Sequence, residues 1–248
     1  MLRITDARTG ESADPVPARR GLTRIEVHTR DFTTTALRVL LVADLLQRAL
    51  EIGGTPVWAL LDGDRHQADL RAAGAALGIR PFEDSRGLGE GLGEAQVVHV
   101  AAADTAARLQ DPGGVVVAVA PVTPAGPAPV YPAGGTDPAV PRLALLSRHH
   151  ADPLHLDAAV LDAARDTLAR RRRAVADWAR RPSRPVPDEV RARLRRAWED
   201  DLDVPAVLEI LETVAEHPDL PDGARFETYA YADRLLGLDL TRDLGSPA

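Results

Sequence analysis

Thr33, Thr34 and Thr35 stand in a row just ahead of a long apolar run. Three hydroxyls at a helix start, beside the backbone amides of the first turn, can donate hydrogen bonds to an anion. Arg38, one turn further on, adds positive charge if it faces the same opening. These four residues are a candidate site for a small anionic ligand or a nucleotide. The same residues have a structural reading, because threonine ahead of a helix is a favoured N-cap.

The other groups able to do chemistry are fewer. Histidine occurs at 28, 66, 99, 149, 150, 155 and 217, with no HExxH spacing. His28 and His99 end or lie within two apolar runs and could reassemble as metal ligands, but lone histidines usually pack. The sequence has no cysteine. Disulfides and thiolate nucleophiles are excluded, and because structural zinc usually wants thiolates, no zinc is expected. All 30 basic residues are arginine, so a Schiff base or a Walker lysine is excluded too. The Gly87-Leu-Gly-Glu-Gly-Leu-Gly-Glu94 stretch misses the phosphate-loop spacing, carries two acids and reads as a surface loop. Arg170–Arg173, with Arg180, Arg181, Arg184, Arg191, Arg193, Arg195 and Arg196, forms a basic cluster that could touch RNA phosphate. Asp162, Asp166, Asp177, Asp188 and Glu189 are interleaved with it, which points to a solvated, ion-paired helix face. A net charge of -7 argues against broad binding to nucleic acid or an anionic membrane. No set of catalytic residues emerges.

The elements that would hold these groups alternate in type. Thr23–His28 reads as a strand, and about Thr35–Ile52 as a helix apolar nearly all round, stopped by Gly53 and Gly54. Thr55–Leu61 reads as a strand, Arg65–Leu77 as a helix, and Gln96–Ala101 and Val115–Ala120 as Val-rich buried strands. Leu2–Thr5 reads as a further short strand, and Asp104 as the cap of a short helix. This order predicts an open parallel Rossmann-like α/β sheet with right-handed crossovers. Pro121–Pro141 holds seven prolines and three glycines and reads as a loop-rich linker. Helical patterns follow over Asp157–Ala179, Pro187–Trp198, Val204–Glu216 and Asp222–Leu236, predicting a C-terminal helical bundle. The expected division is 1–140, the nucleotide-binding type of domain, and 141–248, the bundle. With 45% hydrophobic but only 4% aromatic residues, the core must be built from Ala, Val and Leu. Met1–Gly10 has no apolar signal core and no stretch approaches the ~20 apolar residues of a membrane span. The cytoplasm is the expected location.

Several segments carry a resemblance. Pro141-Arg-Leu-Ala-Leu-Leu-Ser-Arg-His-His150 is followed by Ala151-Asp-Pro-Leu-His-Leu-Asp157. Further on come Ala197-Trp-Glu-Asp-Asp-Leu-Asp-Val-Pro-Ala206 and Ala232-Asp-Arg-Leu-Leu-Gly-Leu-Asp-Leu240. More loosely, Leu2–Gly10 and Asp44–Val57 join the set. In order and spacing these resemble the cysteinyl-tRNA synthetase and actinobacterial mycothiol cysteine ligase family, with its class I aminoacyl-tRNA synthetase fold. The resemblance implies ATP as a substrate, a catalytic zinc and two adenylation motifs. The slots of the first motif, "HIGH", fall on Thr33, Thr34, Thr35 and Ala36, so both of its histidines are missing. The place of the second, "KMSKS", is filled by Pro129–Thr136, and there is no lysine to supply it. The first zinc ligand falls near His28. The family's connective-peptide insertion and the synthetase's anticodon-reading domain have no counterpart here. The expectation is a shortened relative without adenylation activity, a pseudoenzyme acting as a small-molecule-binding, regulatory or accessory protein. It would dock on a protein partner through the bundle, bind ATP weakly or not at all, and not take tRNA. The alternative is a remodelled ATP-dependent ligase that joins an amino acid to a small amine or tRNA.

Overall fold

A computed structural model describes residues 1–17, 21–63, 66–84, 96–110, 112–126 and 137–245. The Gly87–Glu94 stretch and the Pro129–Thr136 segment lie outside the described residues. The chain opens with an antiparallel ribbon, β1 (Ile4–Thr5) and β2 (Ser12–Ala13). There follow β3 (Thr23–His28), α1 (Thr34–Ile52), β4 (Val57–Asp62), α2 (Gln67–Ala76), β5 (Glu83–Asp84), β6 (Gln96–Ala102), α3 (Ala103–Ala106) and β7 (Val115–Val119). Strands β3 to β7 make one sheet in the order β5-β4-β3-β6-β7, parallel at every pairing. The rest is β8 (Val122–Pro124), α4 (Ala139–Leu145), β9 (Leu154–Leu156), α5 (Ala158–Trp178), α6 (Asp188–Glu199), α7 (Val204–Glu216) and α8 (Asp222–Leu236). The open Rossmann-like sheet and the helical C-terminal region are both as the sequence pattern predicts.

β3 shows why the sheet lies as it does. Ile25 and Val27 are fully buried, while Arg24, Glu26 and His28 alternate onto the opposite face. The apolar side packs under α1, which also touches α2 and α8. That double cover is why α1 is apolar nearly all round. α8 in turn packs on α5 and α7, so the bundle is fastened to the sheet through α1. A buried ion network marks the seam. Asp44 on α1 accepts from Arg142 of α4 at 2.7 Å, from Arg48 at 2.9 Å and from Arg80 at 3.0 Å.

The short strand expected at Leu2–Thr5 forms as β1, in the β1–β2 ribbon. Two local expectations are corrected. The stretch Pro121–Pro141 is not all loop, because β8 lies within it and α4 begins in it. Pro141 is the third residue of α4, in the turn whose N–H groups have no helical partner to lose. Asp104 does not cap α3; the cap position is Ala102, and Asp104 sits in the first turn. The boundary expected at Pro141 falls inside α4, and one hydrophobic cluster runs from Leu2 to Leu240. Among the described residues no helix is long and apolar enough to cross a membrane.

Candidate functional site

From β3 the chain steps outward through β4 to β5, and from β6 it steps the other way to β7. The winding reverses between β3 and β6, and open α/β sheets take ligands outside the carboxyl ends of the strands at such a reversal. A cleft of about 450 Å3 lies there, bounded by His28, Thr33, Thr35, Ala102, Asp104 and Pro121. An adjoining hollow of about 440 Å3 reaches Arg30, Asp31, Asp62 and Thr105. Among the described residues the rim carries one arginine, Arg30, against three carboxylates, Asp31, Asp62 and Asp104.

The three threonines are placed at this cleft but are largely committed. Thr33 is the N-cap of α1, and its hydroxyl accepts from the Ala36 amide at 3.1 Å. Thr35 Oγ1 accepts from the Val122 amide at 3.0 Å and lies 3.4 Å from the Val122 carbonyl, tying α1 to β8. Thr34 is buried in the first turn. Thr33 and Thr35 therefore line the cleft while serving as a cap and a tether.

Arg38 is a correction. Its side chain does not face the opening but is 1% exposed beneath the loop that enters the bundle. Nη1 donates to the carbonyls of Ala120 and Asp152, and Nη2 to those of Arg148 and His149. Burial pulls its pKa down to about 10. All the acceptors it meets are backbone oxygens, so Arg38 is a strap. Arg30 is the positive charge that the described rim carries, and its place two residues after β3 was the available clue.

Beside the cleft, on the sheet face opposite α1, His28 and His99 come together. His28 Nδ1 lies 3.0 Å from Asp62 Oδ2, and His28 Nε2 lies 2.9 Å from His99 Nδ1. His99 Nε2 donates to the Pro112 carbonyl at 3.1 Å. Glu26 pairs in register with His99, and its Oε2 lies 3.4 Å from His99 Nδ1. Arg24 holds the other Glu26 oxygen at 2.7 Å. Burial pushes the His99 imidazole below its ordinary pKa, against the pull of Glu26. The zinc that the family resemblance implies is expected to use thiolates, and the sequence has none. What the fold assembles in their place is two imidazoles and a carboxylate within 4.8 Å of one another. Sequence reading noticed the histidines and missed Glu26. The signal was Arg24, Glu26 and His28 at period two in a central strand, where a parallel sheet ordinarily places apolar groups.

The remaining candidates are structural. His149 Nε2 and His150 Nε2 both donate to the Asp201 carbonyl, at 2.9 and 3.0 Å. The basic cluster is divided by the fold. Arg171 is buried against Glu212, and Arg172 is buried against Asp137 and the carbonyls of Leu238 and Asp239.

Fold and cleft together define a Rossmann-like α/β protein with a crevice at the start of α1. No family model matches the chain. Curated proteins do. The chain is 38% identical over 109 residues to the L-cysteine:1D-myo-inositol 2-amino-2-deoxy-alpha-D-glucopyranoside ligase of Acidothermus cellulolyticus, a match covering 44% of this chain and 26% of that protein. Against the ligase of the same name from a Parafrankia species, it is 38% identical over 117 residues, again 26% of the relative. The match thus spans about a quarter of the length of these relatives, and it agrees with the ligase side of the resemblance carried by the motifs.

Proposed function

We propose that this protein is a ligase-like, small-molecule-binding protein without adenylation activity, using the crevice at the start of α1. The observation that carries the reading is the state of that helix start. Where the resembled family places two phosphate-stabilising histidines, this chain has Thr33–Ala36, with the Thr33 hydroxyl spent on the cap and that of Thr35 bound to Val122. Electrostatic stabilisation of a developing charge contributes several kcal/mol to such a step. Without lysine, and with Arg38 turned inward, the rim offers Arg30 alone among the described residues. Three carboxylates on the same rim disfavour a polyphosphate. A ligand with a single anionic group, or a zwitterion, suits the crevice better.

The test is ATP–pyrophosphate exchange with each amino acid, cysteine included. Exchange indistinguishable from heat-killed protein is expected, and cysteine-dependent exchange would sink the reading. Calorimetric titration supplies a second measure: binding in the micromolar-to-millimolar range, about 4–8 kcal/mol, with ATP no tighter than AMP. The similarity to cysteine-using ligases favours one alternative, a remodelled ATP-dependent ligase joining an amino acid to a small amine. Positive exchange would establish it. Absence of any nucleotide binding favours instead an accessory role, with the helical bundle docking a protein partner. The cytoplasm is the proposed location.

A further inference from the structure

A second hollow lies in the helical region, bounded by the end of α4, by β9, by one face of α5 and by the start of α7. It measures about 950 Å3, against about 450 Å3 for the crevice at α1, and the two share no lining residue. Sites for small molecules commonly enclose ~300–1,000 Å3 and have mostly apolar walls with a few polar anchors. Here the walls are aliphatic, from Leu143, Leu154, Val160, Ala164 and Leu208.

The anchors are cationic. Arg171 lines the hollow from α5, and its side chain is 5% exposed. Its Nε and Nη2 both donate to Glu212 Oε1, at 3.2 and 2.8 Å, and Nη2 lies 3.4 Å from the Leu208 carbonyl. Nη1 is buried and has no hydrogen-bond partner. A guanidinium carries five N–H donors, and a buried charged donor left unmatched is costly. An acceptor brought in by a guest would match it. Arg148 also lines the hollow, is exposed, and has no ion pair or hydrogen bond on its guanidinium among the described residues. Thr167, one turn before Arg171 on the same face of α5, adds a half-exposed hydroxyl. The charges set the size of the guest's own charge. Glu212 already balances Arg171, and Asp152 on the lining lies within electrostatic reach of Arg38. Arg148 is left, which suits a single negative charge.

We propose that this hollow binds a monocarboxylate with an aliphatic body. The carboxylate meets Arg171 Nη1 and Arg148, since a planar carboxylate matches the guanidinium fork. The body lies along Leu143, Leu154 and Leu208, where it leaves water. This inference does not rest on the proposed function, and a failed exchange assay leaves it intact.

The test is calorimetric titration of the full chain with decanoate, kept below its micelle-forming range. One site per chain is expected, with a micromolar Kd. Decanol, which has the chain without the charge, should bind at least about tenfold more weakly. Inorganic phosphate, a charge without the chain, should give no saturable signal. Arg148→Ala, at an exposed position, should lower decanoate affinity about tenfold with circular dichroism unchanged. Arg171→Met should abolish binding. Should that variant not fold, Ala163→Trp decides, because it places a large ring on the lining from an exposed position. It should fold and lose decanoate. Thr35→Val, in the other crevice, should leave decanoate affinity as it is. The proposal is overturned if decanoate shows no saturable binding or if decanol binds as tightly. Unchanged decanoate affinity in folded Ala163→Trp overturns it as well.

Discussion

Asp44 has no exposed surface, and three guanidiniums converge on it. Burial by itself would raise its pKa, but the charge of Arg142, then that of Arg48, outweighs burial and holds it below the ordinary carboxylate value. Asp201 is depressed in the same way, its burial outweighed by His150 and by hydrogen bonding to Thr5. Depressed carboxylates contribute stability that is fully present above their unfolded pKa of about 3.9 and is lost as pH falls through the lower folded values. The melting temperature is therefore expected to fall modestly below about pH 6.5, where the depressed His99 takes up its proton more readily in the unfolded chain, and to drop steeply below about pH 4. An acid limb shifted to higher pH would contradict this. Asp44→Ala should destabilise by about 3–5 kcal/mol in urea titrations, because it leaves Arg142 buried and unpaired. None of this was legible beforehand. Asp44 and Arg142 are far apart in the chain, and a lone acid in an apolar helix announces a partner without naming it. Arg38 taught the reverse lesson. Its position one turn into α1 was readable, but its direction was set by carbonyls of the loop at 148–152.

α1 is the element the sequence described best, since Thr33, the leucine pattern and Gly53 mark its ends and covered faces. Its first turn lends itself to a direct measurement. Thr33→Val should cost about 1 kcal/mol through the lost cap. If the threonines only cap and tether, the Thr33→Val/Thr35→Val double variant will lower thermal stability while leaving AMP affinity unchanged. A drop in AMP affinity would restore them as ligand contacts. At the far end of the bundle, α8 stops at Gly237, where φ is +60°. A Cβ there would sit 2.9 Å from Arg142 Nη2 and 3.2 Å from Arg48 Cζ. Gly237→Ala should thus destabilise by more than the ~1–2 kcal/mol of the left-handed conformation alone, which equilibrium unfolding would show. β8 and β9 are the elements that escaped sequence reading. Each has three residues, and each exists only by pairing with the other across α4.

At the scale of the whole molecule, the composition and the β-α-β-α order were enough to give the sheet and the helices after it. They were not enough to show how the two halves meet. That depends on α8 lying against α1 and on the Asp44–Arg142 pair, contacts that no local pattern encodes. Because one apolar cluster runs through both halves, unfolding should be a single cooperative transition. Tryptophan fluorescence, which reports Trp58 in β4 and Trp178 and Trp198 in the bundle, should fall in urea together with the helical circular dichroism signal. Two separated midpoints would show that sheet and bundle are independent units.

The Arg38 strap has a kinetic consequence. One guanidinium joins the first half of α1 to the end of β7 and to the turn that leads into the bundle. Helix, strand end and turn therefore travel together, and the back wall of the crevice has no separate motion with which to close over a guest. Among the described residues, the Arg30–Asp31 side lies outside this strap. Stopped-flow association should then be single-exponential, with an observed rate that rises linearly with ligand concentration and reaches no plateau. Arg38→Met would release the wall, and a slow, saturating phase should appear in that variant alone.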